Sequence, residues 1–117
     1  MTTLNYTVEQ VKDIVAEAKA EAKKAADAFF QTQLNGQDQY ACGFAWVDIY
    51  GIKGNTKLGK AMKAAGIERS DWKKCFSIWN PSEHGCQNID TKEAGAYAAA
   101  KVFEKYGFRA YAGSRLD

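Results

Sequence analysis

The chain has 117 residues, 46% of them hydrophobic, with a single proline and a formal net charge of +2. That length suits one domain over residues 1–117 with a core that needs no disulfide staples, and the composition excludes a disordered chain. The small net charge gives no global field for nucleic acid or membrane, and no apolar run is long enough to cross a bilayer.

Thr7 opens the first element with TVEQ, a capping box in which a hydroxyl and Gln10 satisfy free amides reciprocally. Val8, Val11, Val15, Ala18, Ala22, Ala25 and Phe29 then recur at three- and four-residue steps. This seam predicts a long helix over about 7–35, stopped near Asn35-Gly36. Its alanines allow close approach to the protein's own sheet. A dimeric coiled coil has the same spacing, but the seam is short and alanine-rich.

Residues 41–50, ACGFAWVDIY, form the clearest strand and open an α/β core over about 41–113. Alternation puts Gly43, Ala45, Val47 and Ile49 on one face and Phe44, Trp46, Asp48 and Tyr50 on the other. A turn, GIKGN, leads to a short helix with Leu58, Met62 and Ala65 inward and Gly66 as its stop. Ser70 is expected to begin a brief helical turn through Asp71-Trp72, before a second strand, CFSIW, at 75–79. The polar loop NPSEHGCQN follows, and Asp90 with Glu93 is expected to open a third helix with Ala94, Ala98 and Val102 inward. Gly107 ends that helix, Phe108 is expected to fold back on Phe103, and FRAYAG at 108–113 is the third strand. The order α-β-α-β-α-β predicts an α/β (α+β) two-layer sandwich of about three strands, with helices mainly on one face and at least one parallel pairing.

Gly54 to Lys60 satisfies G-x-x-x-x-G-K, the outline of a phosphate loop. The next residue is Ala61, which cannot ligate magnesium, and a cap at Asn55 or Thr56 puts Gly59 and Lys60 inside the helix. The stretch therefore reads as a tight turn feeding a lysine-faced helix. Between Gly51 and Lys74, seven basic residues (Lys53, Lys57, Lys60, Lys63, Arg69, Lys73 and Lys74) stand against two acidic ones, a local charge of +5. A solvated face explains this, and so does a patch for an anionic partner.

Cys42, Cys75 and Cys86 show no CxxC spacing and read as reduced thiols of a cytoplasmic protein, in keeping with an N-terminus that lacks a signal-peptide core. A Cys3His zinc site with His84 fails on the short His84–Cys86 spacing, so no metal and no cofactor is expected. His84 as base to Cys86, and Asp48 as a lone carboxylate, lack the partners that catalysis requires, so no enzymatic activity is expected.

The face opposite the aliphatic side of the sheet is expected to gather Phe44, Trp46, Asp48 and Tyr50 with Ser77 and Trp79, and with Arg109 and Tyr111. Such a surface is too sticky to be left bare. It is covered by the first helix or by a second copy, it stacks nucleobases while lysines meet phosphates, or it is a protein-binding hot spot.

The phrases CGFAWV, GNTKLGK, WNPS with a following CQN, and the terminal AGSRLD together resemble small proteins of tailed bacteriophages, cyanophage-type genomes included, a group with no settled activity. The likeness runs from about Ala41 to Asp117. It implies a protein made in the host cytoplasm during infection, which modulates host machinery or sequesters an anionic ligand. The site residues that follow from strand face, turn and phrases together are Phe44, Trp46, Tyr50, Lys53, Asn55, Lys57, Lys60, Trp79, Asn80, Ser82, His84, Gln87, Asn88, Arg109, Tyr111 and Arg115, with Ser114 adjoining them. The expected function is non-catalytic binding of nucleic acid or a nucleotide; the alternative is binding of a host protein, with homodimerisation open.

Overall fold

The computed structural model describes residues 4–117. Its elements are α1 (Val8–Gln33), β1 (Gly43–Tyr50), α2 (Lys57–Ala64), β2 (Glu68–Ser70), β3 (Cys75–Trp79), α3 (Ile89–Lys105) and β4 (Arg109–Leu116). The protein is α+β: among the described residues, three helices pack on a sheet of four antiparallel strands in the order β2-β3-β1-β4.

The expected parallel pairing is not formed. β2 is antiparallel to β3, and β3 to β1, so β1 and β2 run the same way with β3 inserted between them. Likewise β3 and β4 run the same way with β1 between them. Each helical crossover does return to a strand of like direction, as chain geometry favours. The extra reversal comes from Glu68-Arg69-Ser70, three polar residues with no strand signature, which form an edge strand; the turn expected from Ser70 through Asp71-Trp72 follows it, with Ser70 Oγ accepting from the Lys73 amide (3.2 Å).

The predicted caps fix the helices. Thr7 and Gln10 form the capping box at the start of α1. Phe108 donates its amide to Phe103 O (3.0 Å), Gly107 takes φ +92°, and the two rings meet edge to face, closing α3 in a Schellman stop. Asn88, not Asp90, caps α3, because its buried Oδ1 accepts from the Thr91 amide (2.8 Å) and hydroxyl (2.9 Å).

The buried seam of α1 is Val11, Ile14, Ala18, Ala22 and Ala26, so the helix is rotated slightly from the expected stripe. On α3 the buried face includes Gly95, Ala96, Ala99, Ala100, Val102 and Phe103; of the expected stripe only Val102 lies on it, with Ala94 and Ala98 half-buried at its margin, because this helix is covered by both α1 and the sheet. Small residues bring the helices close: a Cβ on Gly95 would lie 3.2 Å from Ala22 O. Ala45, Val47, Ile49, Phe76, Ile78 and Ala110 complete the core from the aliphatic sheet face, where a large fully buried side chain is worth about 1.5–3 kcal/mol. All helical cover lies on this side.

Candidate binding face

With α1 and α3 on one side, strand alternation sends Phe44, Trp46, Asp48 and Tyr50 to the other. Register does the rest. Trp79 lies directly opposite Trp46, Ser77 opposite Asp48, Tyr111 opposite Asp48, Arg109 opposite Tyr50, and Arg115 opposite Phe44. No described element covers this face, and Trp79 is 54% and Tyr111 55% exposed.

The rings form a ladder. The Trp46 and Trp79 indoles are stacked, with planes within 4° and centroids 5.5 Å apart, and Phe44 leans on Trp79 at 5.5 Å. Cations stand over the same rings: Lys73 Nζ is 5.4 Å from Trp46, while Lys92 Nζ and the Arg115 guanidinium are each 5.3 Å from Phe44. Tyr50 and Tyr111 extend the surface toward Arg109.

Asp48 locks this arrangement. Its carboxylate accepts from Ser77 Oγ (2.6 Å), Lys73 Nζ (2.9 Å) and Trp46 Nε1 (3.1 Å). Burial pushes the Asp48 carboxyl up, but the bonds from Ser77, Lys73 and Trp46 outweigh it, so the group ionises below its ordinary range. Lys73 is shifted up: burial opposes its charge, and Asp48 more than compensates. Burial first, and then negative Asp48, raises Tyr50.

The depressed carboxyl sets a direction for acid unfolding. Because Asp48 is more acidic when folded, its stabilisation is complete above its unfolded pKa, about 3.9, and is lost as pH falls through the folded value. Urea denaturation followed from neutral to strongly acidic pH will show Asp48→Asn with a shallower acid loss than the parent.

Gly113 seats the ladder. A Cβ there would lie 2.5 Å from Trp46 Nε1 and 2.6 Å from Cε2, so only glycine lets the indole lie flat across the neighbouring strand. Gly113→Ala must lift the indole off Asp48 and out of its stack with Trp79. The expected cost is about 1–3 kcal/mol by chemical denaturation, with a shifted tryptophan emission in the folded protein.

The other expected site residues lie elsewhere. Lys53, Asn55, Lys57 and Lys60 are exposed on the β1–α2 turn and α2, in the helical layer, and none stands over a face ring. Thr56 caps α2, as one of the two expected caps, by accepting from the Gly59 amide (3.0 Å); that amide is thereby taken from any phosphate cradle. The 80–88 loop is a scaffold. Ser82 Oγ donates to Asn80 Oδ1 and accepts from the His84 amide; Asn80 Nδ2 donates to His84 O; Asn88 is fully buried as the α3 cap. The Gln87 amide donates to Asp38, and His84 sits against Phe30 with Nε2 3.5 Å from Asp27. These contacts give Asn80, Ser82, His84 and Asn88 structural roles within the loop, and Ser82 and Asn88 are buried there. Ser114 is directed to Glu93 on the helical side.

Two ring-facing cations were not among the expected site residues. Lys73 was visible only as one of seven basic residues. Lys92 carried a fainter signal: a cation in the first turn of a helix opposes the helix dipole, which implies a tertiary partner, here Gly43 O (3.0 Å) and the Phe44 ring.

Cys42, Cys75 and Cys86 are free, and burial raises the Cys86 thiol, which therefore makes a poor nucleophile. Among the described residues no group of three or more His, Cys, Asp or Glu side chains is arranged to hold a metal ion, and no helix is long and apolar enough to cross a membrane. Comparison with protein-family models, curated proteins and solved structures finds no match.

Proposed function

We propose that the open sheet face is a non-catalytic binding platform for single-stranded nucleic acid or a nucleotide. The observation that carries this reading is the Trp46–Trp79 stack, open to solvent at Trp79 and flanked by Lys73, Lys92 and Arg115. A base laid on an exposed aromatic ring gains about 1–3 kcal/mol, and neighbouring cations serve the phosphates on either side. In this reading Lys73, Lys92, Arg109 and Arg115 meet the phosphates, while Lys53, Lys57 and Lys60 contribute at most a distant field. The free thiols support a reducing setting such as the cytoplasm.

Catalysis has no part in this reading. The carboxylate on the platform is committed to three donors, and the buried thiol of Cys86 is held protonated. The second reading is a hot spot for a host protein in a phage-infected cell, favoured by the Trp, Tyr and Arg content of the same face.

Titration with short single-stranded DNA and RNA and with a nucleotide panel, following tryptophan emission at two salt concentrations, separates the readings. A quench that weakens with salt supports the nucleic-acid platform. Silence with every ligand rejects it and leaves the protein partner.

A further inference from the structure

The two edges of the sheet are built differently. β2 is three residues long and bears Glu68 and Arg69, which is how a sheet edge is blunted against pairing. β4 is eight residues long, pairs with β1 along its whole length, and carries no proline. Its backbone polarity follows from two hydrogen bonds. The Asp117 amide donates to Cys42 O (3.1 Å), and on the other side of β1 the Asn80 amide donates to Ala45 O (2.9 Å). In an antiparallel ladder these alternate, so Arg109, Tyr111, Gly113 and Arg115 bond to β1, while the backbones of Ala110, Ala112, Ser114 and Leu116 point outward. Among the described residues nothing pairs with those outward groups.

We infer that β4 is a self-complementary edge that pairs antiparallel with β4 of a second copy, joining two sheets into one of eight strands. Charge selects the register. With Gly113 opposite Gly113 of the second copy, outward-pointing backbones meet in pairs, Arg109 lies opposite Asp117, and Tyr111 lies opposite Arg115. A shift of two residues one way sets Arg109 opposite Arg115, like charge against like, and the other way sets Tyr111 opposite Asp117 and loses both Arg109–Asp117 pairs. The favoured register is isologous and closes on itself. It also brings both Trp46–Trp79 stacks into one row across the twofold, with the glycine pair at its centre. The pairing is argued from the edge and not from what the face binds, although Arg109 and Arg115 belong to both.

The test is the mass of the full chain in solution, by sedimentation equilibrium or light scattering over a range of concentrations, with near-UV circular dichroism reporting the protomer fold. The expected species has twice the 12.9 kDa protomer mass. Arg109→Asp places like charges opposite each other twice and weakens association by about tenfold; Arg109→Asp with Asp117→Arg restores it. Ala112→Pro removes an outward amide without touching the β1 ladder and abolishes the dimer. A single-protomer mass at every concentration overturns the inference. So does a dimer indifferent to Arg109→Asp, or a loss that the double swap does not rescue; these charge variants carry the test even where the proline variant misfolds.

Discussion

Trp79→Ala will weaken binding of a short single-stranded oligonucleotide by roughly 5- to 150-fold, the equivalent of about 1–3 kcal/mol for one lost stacked base. Trp79 is the reporter of choice because it is the outward member of the stack, 54% exposed, with Trp46 beneath it and Phe44 beside it. Its removal costs the fold the ring–ring terms, about 0.5–1.5 kcal/mol each, and the burial of the covered half of the ring, so circular dichroism of the variant is recorded beside its affinity to separate lost stacking from unfolding. Trp79→Phe, which keeps a smaller π surface, should fall between the two. Trp72 is 91% exposed in the β2–β3 turn, makes no ring contact, and its replacement by Ala should leave affinity unchanged. Fluorescence anisotropy of a labelled oligonucleotide measures all three. Equal affinities for the parent and Trp79→Ala would remove Trp79 from the site.

Gly59→Ala will destabilise the protein by about 3 kcal/mol, although alanine ordinarily stabilises a helix interior by about 1 kcal/mol over glycine. The reason is contact. A Cβ at Gly59 would lie 2.1 Å from Lys53 O and 3.0 Å from Gly54 Cα, both backbone atoms of the turn packed against α2. A glycine serving only to cradle phosphate would show the opposite sign in ligand-free protein. Chemical denaturation of Gly59→Ala beside Lys60→Ala decides the matter, since Lys60 is exposed and its loss should be nearly neutral. The resemblance of GNTKLGK to a phosphate loop is thus explained by packing: the second glycine admits the chain beneath it, and the lysine simply follows on the solvent side.

How far the sequence carried the fold and the face depended on the kind of signal available. The aromatic face was legible because strand alternation is rigid: once Phe44 points outward, Trp46, Asp48 and Tyr50 must follow. The partners Trp79, Arg109 and Tyr111 were found by the same parity, and the observed registers bring them to that face. Capping residues Thr7 and Thr56 and the Gly107 stop were legible for the same local reason. What local pattern could not give was strand order. β2 has no hydrophobic alternation and exists because β3 offers it an edge, so the hairpin that turns the sheet wholly antiparallel was hidden. The loop residues Ser82 and Asn88 looked like a polar site because polarity is visible in a sequence and burial is not; they are 3% and 0% exposed. Lys92 escaped because its partner, Phe44, is far away in the chain and close only once α3 crosses the end of β1.

The most direct test of the binding face is a titration of isotope-labelled protein with a short single-stranded oligonucleotide, following backbone amides and the indole resonances by NMR. The account predicts that Trp46 and Trp79 indoles and the amides of Phe44, Tyr111 and Arg115 shift together, while those of α1 stay still. Shifts confined to Lys57 and Lys60 of α2, or an unperturbed spectrum at saturating oligonucleotide, would contradict it.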